Sequence, residues 1–287
     1  MANSRIRKFR SNLAKSPVRR PVIWLRHRGL HANDVFLASY PRSGNTWLRF
    51  VLGEVLTGKS IDFDNVDDVI PELKWHRRGE AVFDGGGRLI KTHEPWRKEY
   101  CKAVYIVRDV RDVALSQFAR SQQLGIADNG MDGFLTAFLR GTFHGYGTWG
   151  RHVRSWLDSP LAPKGKLLVI RFEDLRRNPE ESLTRMVQFV GSPAGAEQIR
   201  AALANNSVDQ MRNKEVRSRT LIQSTTEVGR FVRKGAVQGW RNVLTPAQLQ
   251  LFEQHVGKEL AQMGYPSAAE VATAAAQSQL QPVPVSS

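Results

Sequence analysis

Apolar residues along this chain fall into two alternating patterns. Short unbroken runs at 34–39 (DVFLAS), 88–92 (RLIKT), 103–107 (AVYIV) and 167–172 (LLVIRF) read as strands, apolar toward both faces. Between them, apolar positions recur at helical spacing. Residues 46–56 form one such stretch, and in 110–118 the residues Val110, Val113, Ala114 and Phe118 share a face. Pro179 at a first helical position, behind Asn178 as N-cap, opens a helix over 179–190. Pro246 opens the last helix, marked by Leu249, Phe252, Val256, Leu260 and Met263. Buried strands separated by helices predict an α/β fold of three layers, a central parallel sheet flanked by helices. Ligands of such sheets bind beyond the carboxyl ends of the strands. The residues that follow each run are therefore the candidates for chemistry.

A chain of 287 residues can support this layered core without staples. Its single cysteine, Cys101, permits no intrachain disulfide and has no partner motif of a nucleophile, so a reduced, cytoplasmic setting is expected. A net charge of +15 favours anionic partners without choosing among nucleic acid, lipid and small molecules. Part of the excess is local, since the first 28 residues hold nine Lys and Arg and no acid. With no apolar h-region, that segment is not expected to be a secretory leader. It reads as a solvated basic arm that packs only around 22–25, with peripheral membrane or polyanion attachment as the functional alternative and a transit peptide as a third. Residues 267–287 are rich in Ala, Gln, Ser, Pro and Val and are expected to be disordered, or at best frayed helix. The expected division is a basic arm over 1–32, one domain over 33–266 and a tail over 267–287.

The first strand runs into SYPRSGNT (39–46), whose spacing mimics the strand–loop–helix of a P-loop. Gly44 takes the second glycine's place and Thr46 the hydroxyl's place. Gly44 allows the backbone to turn its N–H groups inward, and the helix from Thr46 offers its positive dipole end to an anion. Asn45 replaces the lysine of a standard NTPase, and the cation lies earlier, at Arg42. The metal-dependent arrangement of such an enzyme is not supported, and no metal is expected.

Three further strand ends or loops carry cations. Lys91 and His93 follow the second run, an electrostatic clamp and a candidate general base. Arg108 follows the third run, with Ser116 about two helical turns later; the plainer reading of Arg108 is an ion pair with Asp109 or Asp112. Near the C-terminus, Phe231, Arg233, Lys234 and Gly235 precede Gly239 and Trp240, so a second anion site is possible beside a plain basic loop.

Together, YPRSGNTW, KTH, VRDVRDVALS, RFEDL with NP behind it, and FVRKGAVQGW resemble, in order, the cytosolic type of sulfotransferase that uses 3′-phosphoadenosine 5′-phosphosulfate (PAPS). The resemblance covers about 35–265 and implies a P-loop NTPase-like core. It implies that Ser43, Gly44, Asn45 and Thr46 hold the 5′-phosphosulfate, and that Arg42 neutralises the bridging oxygen as the nucleotide leaves. Trp47 would stack on adenine, Lys91 would polarise the sulfuryl group, and His93 would be the base. Arg108 and Ser116 would bind the 3′-phosphate from one side, and Arg233, Lys234 and Gly235 from the other, with Phe231 near the adenine. Ser207 resembles a further donor-contacting serine. The family commonly has Lys at the place of Arg42 and Tyr at that of Phe172, so a nucleotide contact at Phe172 would lose its hydroxyl. Its animal dimerisation segment is poorly matched by RNVLTPAQLQ, so oligomeric state does not carry over.

The resemblance implies PAPS as donor, its bisphosphate (PAP) as product, and an acceptor of unread class: glycan, lipid, or small alcohol or phenol. The segments expected to hold the acceptor are 60–87, 122–150 and 220–229. The second of these carries Phe134, Phe138, Phe143, His144, Tyr146 and Trp149, of which at least half are expected in the core. Glu94 is a candidate to orient the acceptor or share base work. A kinase with a degenerate P-loop is the competing enzyme, opposed by Asn45. A nucleic-acid binder fits the charge but has no recognisable motif, and no nucleic-acid partner is expected.

Overall fold

The computed structural model of the protein describes residues 19–123, 130–142, 145–219, 235 and 237–280. Four parallel strands form one sheet in the order β2-β1-β3-β4: β1 Val35–Ser39, β2 Leu89–Thr92, β3 Ala103–Val107 and β4 Leu167–Arg171. Leu37 pairs with Lys91 on one side and Val104 on the other, and Tyr105 pairs with Val169. The helices are α1 Arg19–His27, α2 Asn45–Thr57, α3 Val66–Val69, α4 Val110–Gln123, α5 Gly130–Leu139, α6 Trp149–Leu157, α7 Phe172–Arg177, α8 Pro179–Val190, α9 Ala196–Asn205, α10 Val208–Arg217, α11 Pro246–Gln262 and α12 Ala268–Leu280.

Strand alternation divides the interior into two cores. Phe36, Ala38, Tyr105 and Val107 face the layer of α4, α5, α6 and α11. Val35, Leu37, Val104, Ile106 and Ile170 face the layer of α2, α3, α7, α8, α9 and α10. The expected three-layer arrangement is therefore present. At the amino end of the sheet, Asp34 is fully buried and takes two bonds from the Arg88 guanidinium, at 3.0 and 2.7 Å. Arg88 Nη1 donates to the His76 carbonyl and Nη2 also donates to the Gly29 carbonyl, which ties the chain entering β1 to β2.

Several local expectations are corrected. The fourth strand ends at Arg171, and Phe172 opens α7, where Glu173 and Asp174 suit the positive first turn. Pro179 opens α8 as expected, but Asn178 makes no capping bond and its amide reaches Glu181 at 3.5 Å. The tail is helical over Ala268–Leu280. Alanine favours helix, Ser267 meets the Glu270 carboxylate at 2.7 and 2.9 Å, and Ala268 is buried against the first core. The arm is helical over Arg19–His27, and its inward contact is His27, whose Nε2 lies 2.8 Å from the Tyr100 hydroxyl. Trp24 and Leu25, expected to pack, are 64% and 61% exposed. Residues 1–18 and 281–287 lie outside the described residues.

Candidate active site

All four strands deliver residues to one crevice at their carboxyl ends, a cavity of about 500 Å³ lined by Arg42, Trp47, Lys91, His93, Arg108 and Phe172 among others. A volume of this size suits a ligand of nucleotide scale.

The loop after β1 is shaped by two left-handed residues. Gly44 has φ 85°, and a Cβ there would lie 2.4 Å from the Phe172 ring, so only glycine fits under that aromatic. Arg42 has φ 71°, unusual for a residue with a side chain. Its geometry is held from two sides: Arg108 Nη1 donates to its carbonyl at 2.9 Å, and its own Nε donates to Ser116 Oγ at 3.0 Å. Arg42, Arg108 and Ser116 are thus one cluster, with the Arg42 side chain turned toward the residues expected at the 3′-phosphate. Ser43 Oγ is buried with no partner among the described residues. The helix α2 starts at Asn45 behind Gly44, so its first N–H groups face the crevice. The Asn45 amide itself points back, donating to the Leu37 carbonyl at 3.2 Å and Ser39 Oγ at 3.1 Å. An orphaned buried hydroxyl, a cradle that any Cβ would fill, and free helix-start donors all suit a terminal anionic group.

His93 sits just beyond β2. Its Nδ1 lies 2.7 Å from the Ser39 carbonyl, which can only accept, so Nδ1 carries the proton and Nε2 keeps its lone pair. Burial, then the charge of Lys91, pull the imidazole down to about 3. It is therefore neutral at physiological pH. The Tyr146 ring meets it edge-on, with centroids 6.0 Å apart.

Lys91 is buried, and its Nζ lies 2.7 Å from Glu72 Oε1. Burial pulls the ammonium below its usual range and the Glu72 charge opposes that. Burial alone would raise Glu72; the charges of Lys91, Lys74 and Arg49 outweigh it and bring the carboxyl down to about 2. The Arg49 Nε donates to the Ile70 carbonyl at 2.8 Å, and its Nη2 pairs with Asp67, which fastens the segment leading to Glu72 onto α2.

Trp47, Phe172, Val208, Met211 and Gly235 add an apolar wall to the cavity. The Trp47 indole N–H donates to the Asn206 carbonyl at 2.8 Å, which fixes the ring's edge. The Arg108 guanidinium lies 4.6 Å over the Phe172 ring. Ser207 is not among the cavity-lining residues; its hydroxyl caps α10 at the Gln210 N–H, 3.4 Å away. Phe231, Arg233 and Lys234 lie outside the described residues, as do Phe143, His144 and 220–229.

The acids of VRDVRDVALS prove architectural. Asp109 pairs with Arg111 through two bonds, at 2.9 and 2.7 Å, not with Arg108 as its plainer reading had it. Asp112 accepts the N–H groups of Gln238 and Trp240 at 2.8 and 3.1 Å, which anchors the chain just after Gly235.

A family model described as the sulfotransferase domain matches residues 32–264. The chain belongs to the sulfotransferase family. Sulfotransferase 1B1 of Canis lupus familiaris is 27% identical over 251 residues, 79% of this chain and 83% of that protein. Sulfotransferase 1A1 of Bos taurus is 26% identical over 250 residues, 80% and 84% respectively. The crystal structure of mouse sulfotransferase SULT7A1 complexed with PAP superposes with a TM-score of 0.61 at 24% identity, covering 83% of this chain and 88% of that one. Retinol dehydratase in complex with androsterone and inactive cofactor PAP gives 0.63 at 19% identity, covering 82% and 83%. The resemblance to the PAPS-dependent family drawn from five motifs is thereby confirmed.

In this sulfotransferase the sequence reading missed Glu72, Ser39 and Arg176. Ser39 was legible as the last strand residue. Arg176 follows the RFEDL motif and lines the cavity. Glu72 lies in an irregular segment whose pattern announces nothing. Of the aromatics in 122–150, Phe134, Phe138 and Trp149 are buried in the first core, while Tyr146 faces the site.

Proposed function

We propose that this sulfotransferase moves the sulfuryl group of 3′-phosphoadenosine 5′-phosphosulfate to an acceptor hydroxyl or amine, with His93 as general base. The observation that carries the reading is the anchoring of the imidazole: Nδ1–H on the Ser39 carbonyl leaves Nε2 as the proton acceptor. Nε2 takes the acceptor's proton, the acceptor oxygen bonds to sulfur, and the bond from sulfur to the bridging oxygen breaks in line. The departing bisphosphate keeps that electron pair. Lys91 meets charge on the sulfuryl oxygens, and Arg42, with the α2 N–H groups and Ser43, Gly44, Asn45 and Thr46, meets charge on the 5′-phosphate. Trp47 and Phe172 hold the adenine. Arg108 and Ser116 hold the 3′-phosphate, joined by Phe231, Arg233, Lys234 and Gly235. Ser207 contributes by capping the helix whose Val208 lines the cavity. The acceptor enters from the side of Glu72, Lys74, Glu94 and Tyr146, which line a smaller pocket shared with Lys91 and His93. That wall suits a hydroxyl-rich acceptor such as a glycan, a lipid headgroup or a small alcohol.

The test is His93→Ala. Loss of the base lowers kcat by about 10²–10⁴-fold, while affinity for the bisphosphate product, read by calorimetry, stays within about twofold. A variant that keeps wild-type turnover removes His93 from the role.

A further inference from the structure

The helix α1 is amphipathic the wrong way round for a helix that merely packs on a core. At helical spacing, Pro21, Trp24, Leu25 and Arg28 form one stripe (i, i+3, i+4, i+7), and all four are exposed. The opposite side carries Ile23, His27 and Leu30, of which His27 is buried on Tyr100. Thus the polar imidazole faces the protein and the indole faces out, 64% exposed, beside Leu25 at 61%. The Arg28 guanidinium lies 5.7 Å over the Trp24 ring. Among the described residues, no other two large exposed apolar side chains are adjacent in sequence.

Charge selects the occupant. The nine cations and no acid in the first 28 residues surround this stripe in sequence, and an aromatic–aliphatic pair flanked by arginines matches the headgroup region of a bilayer. A protein partner of ordinary mixed charge gains nothing from such an excess. We propose that α1 is an interfacial helix that seats Trp24 and Leu25 in an anionic lipid surface, with the exposed Arg28 toward the lipid phosphates.

The helix also stands at the acceptor side. Arg26 lies 3.9 Å from Glu94 and lines the smaller pocket with Lys74, Lys91, His93 and Tyr146. Docking through α1 therefore brings that mouth to the bilayer, where an acceptor borne on lipid would be presented. This last consequence rests on the proposed acceptor side; the docking itself does not.

The test is sedimentation of the full chain with phosphatidylcholine vesicles, with and without phosphatidylglycerol, beside the exposed-stripe double variant Trp24→Ser, Leu25→Ser. The wild type pellets with the anionic vesicles and not the neutral ones, and the double variant loses partitioning by about tenfold or more. Its melting temperature and bisphosphate affinity stay at wild-type values, which separates lost docking from lost folding or a failed donor site. No pelleting of the wild type overturns the proposal. So does unchanged pelleting of the double variant, which would assign the attraction to charge alone. A wild-type dimer in solution that the double variant dissolves, without vesicle binding, gives the stripe to a second copy and also overturns it.

Discussion

Residue by residue, the site was most legible where its parts are contiguous. Arg42 to Trp47 form one loop whose spacing betrays an anion cradle, and Lys91 and His93 share one strand end. Glu72 was illegible because its meaning comes from Lys91, 19 positions away and paired with it only through the fold. Its charge makes a prediction. The Glu72 charge favours the protonated form of the buried Lys91, so Glu72→Gln lowers the lysine's pKa further and moves the alkaline limb of the kcat/KM profile to lower pH. A merely structural role would lower activity at every pH without moving that limb. His93 makes a second. The unfolded imidazole binds a proton near 6.5 and the folded one only near 3, so acidification through that window favours the unfolded state. The contribution to stability is whole above 6.5 and is lost as pH falls toward 3. Melting temperature should therefore fall more steeply over that range in the wild type than in His93→Gln, and parallel curves would contradict the buried neutral imidazole.

Among the elements, the strands were legible because each is apolar on both faces, which only a sheet covered on both sides explains. The β4 boundary was misplaced by one residue because Phe172 continues the apolar run, although it serves the next helix and the donor loop. The tail, expected to be disordered or at best frayed helix, was hard to read for a different reason. An Ala- and Gln-rich stretch has the composition of disorder, and only the docking of Ala268 and the Ser267–Glu270 contact decide for helix. The buried Asp34–Arg88 pair is a point of leverage at the end of the sheet away from the site. Asp34→Ala leaves the Arg88 guanidinium buried without its carboxylate and should cost about 3–5 kcal/mol of stability. Chemical denaturation measures this, and bisphosphate affinity of the folded variant should not change.

For the whole molecule, the sheet gathers cations from three separate strand ends into one crevice, and this is what a donor with phosphate at both ends requires. In the proposed site Arg42 and Lys91 serve one end and Arg108 with Ser116 the other, with the Arg42 Nε bonded to Ser116 between them. The expected partners Arg233 and Lys234 lie outside the described residues, just before Gly235 in sequence, and Gly235 itself sits beside Phe172. The most direct measurement is calorimetric titration of the full chain with 3′-phosphoadenosine 5′-phosphate in EDTA, beside adenosine 5′-phosphate and ATP with Mg²⁺. The two-ended site predicts metal-free binding of the bisphosphate at least about tenfold tighter than either comparator. Equal affinity for adenosine 5′-phosphate, or preference for ATP with Mg²⁺, would contradict it.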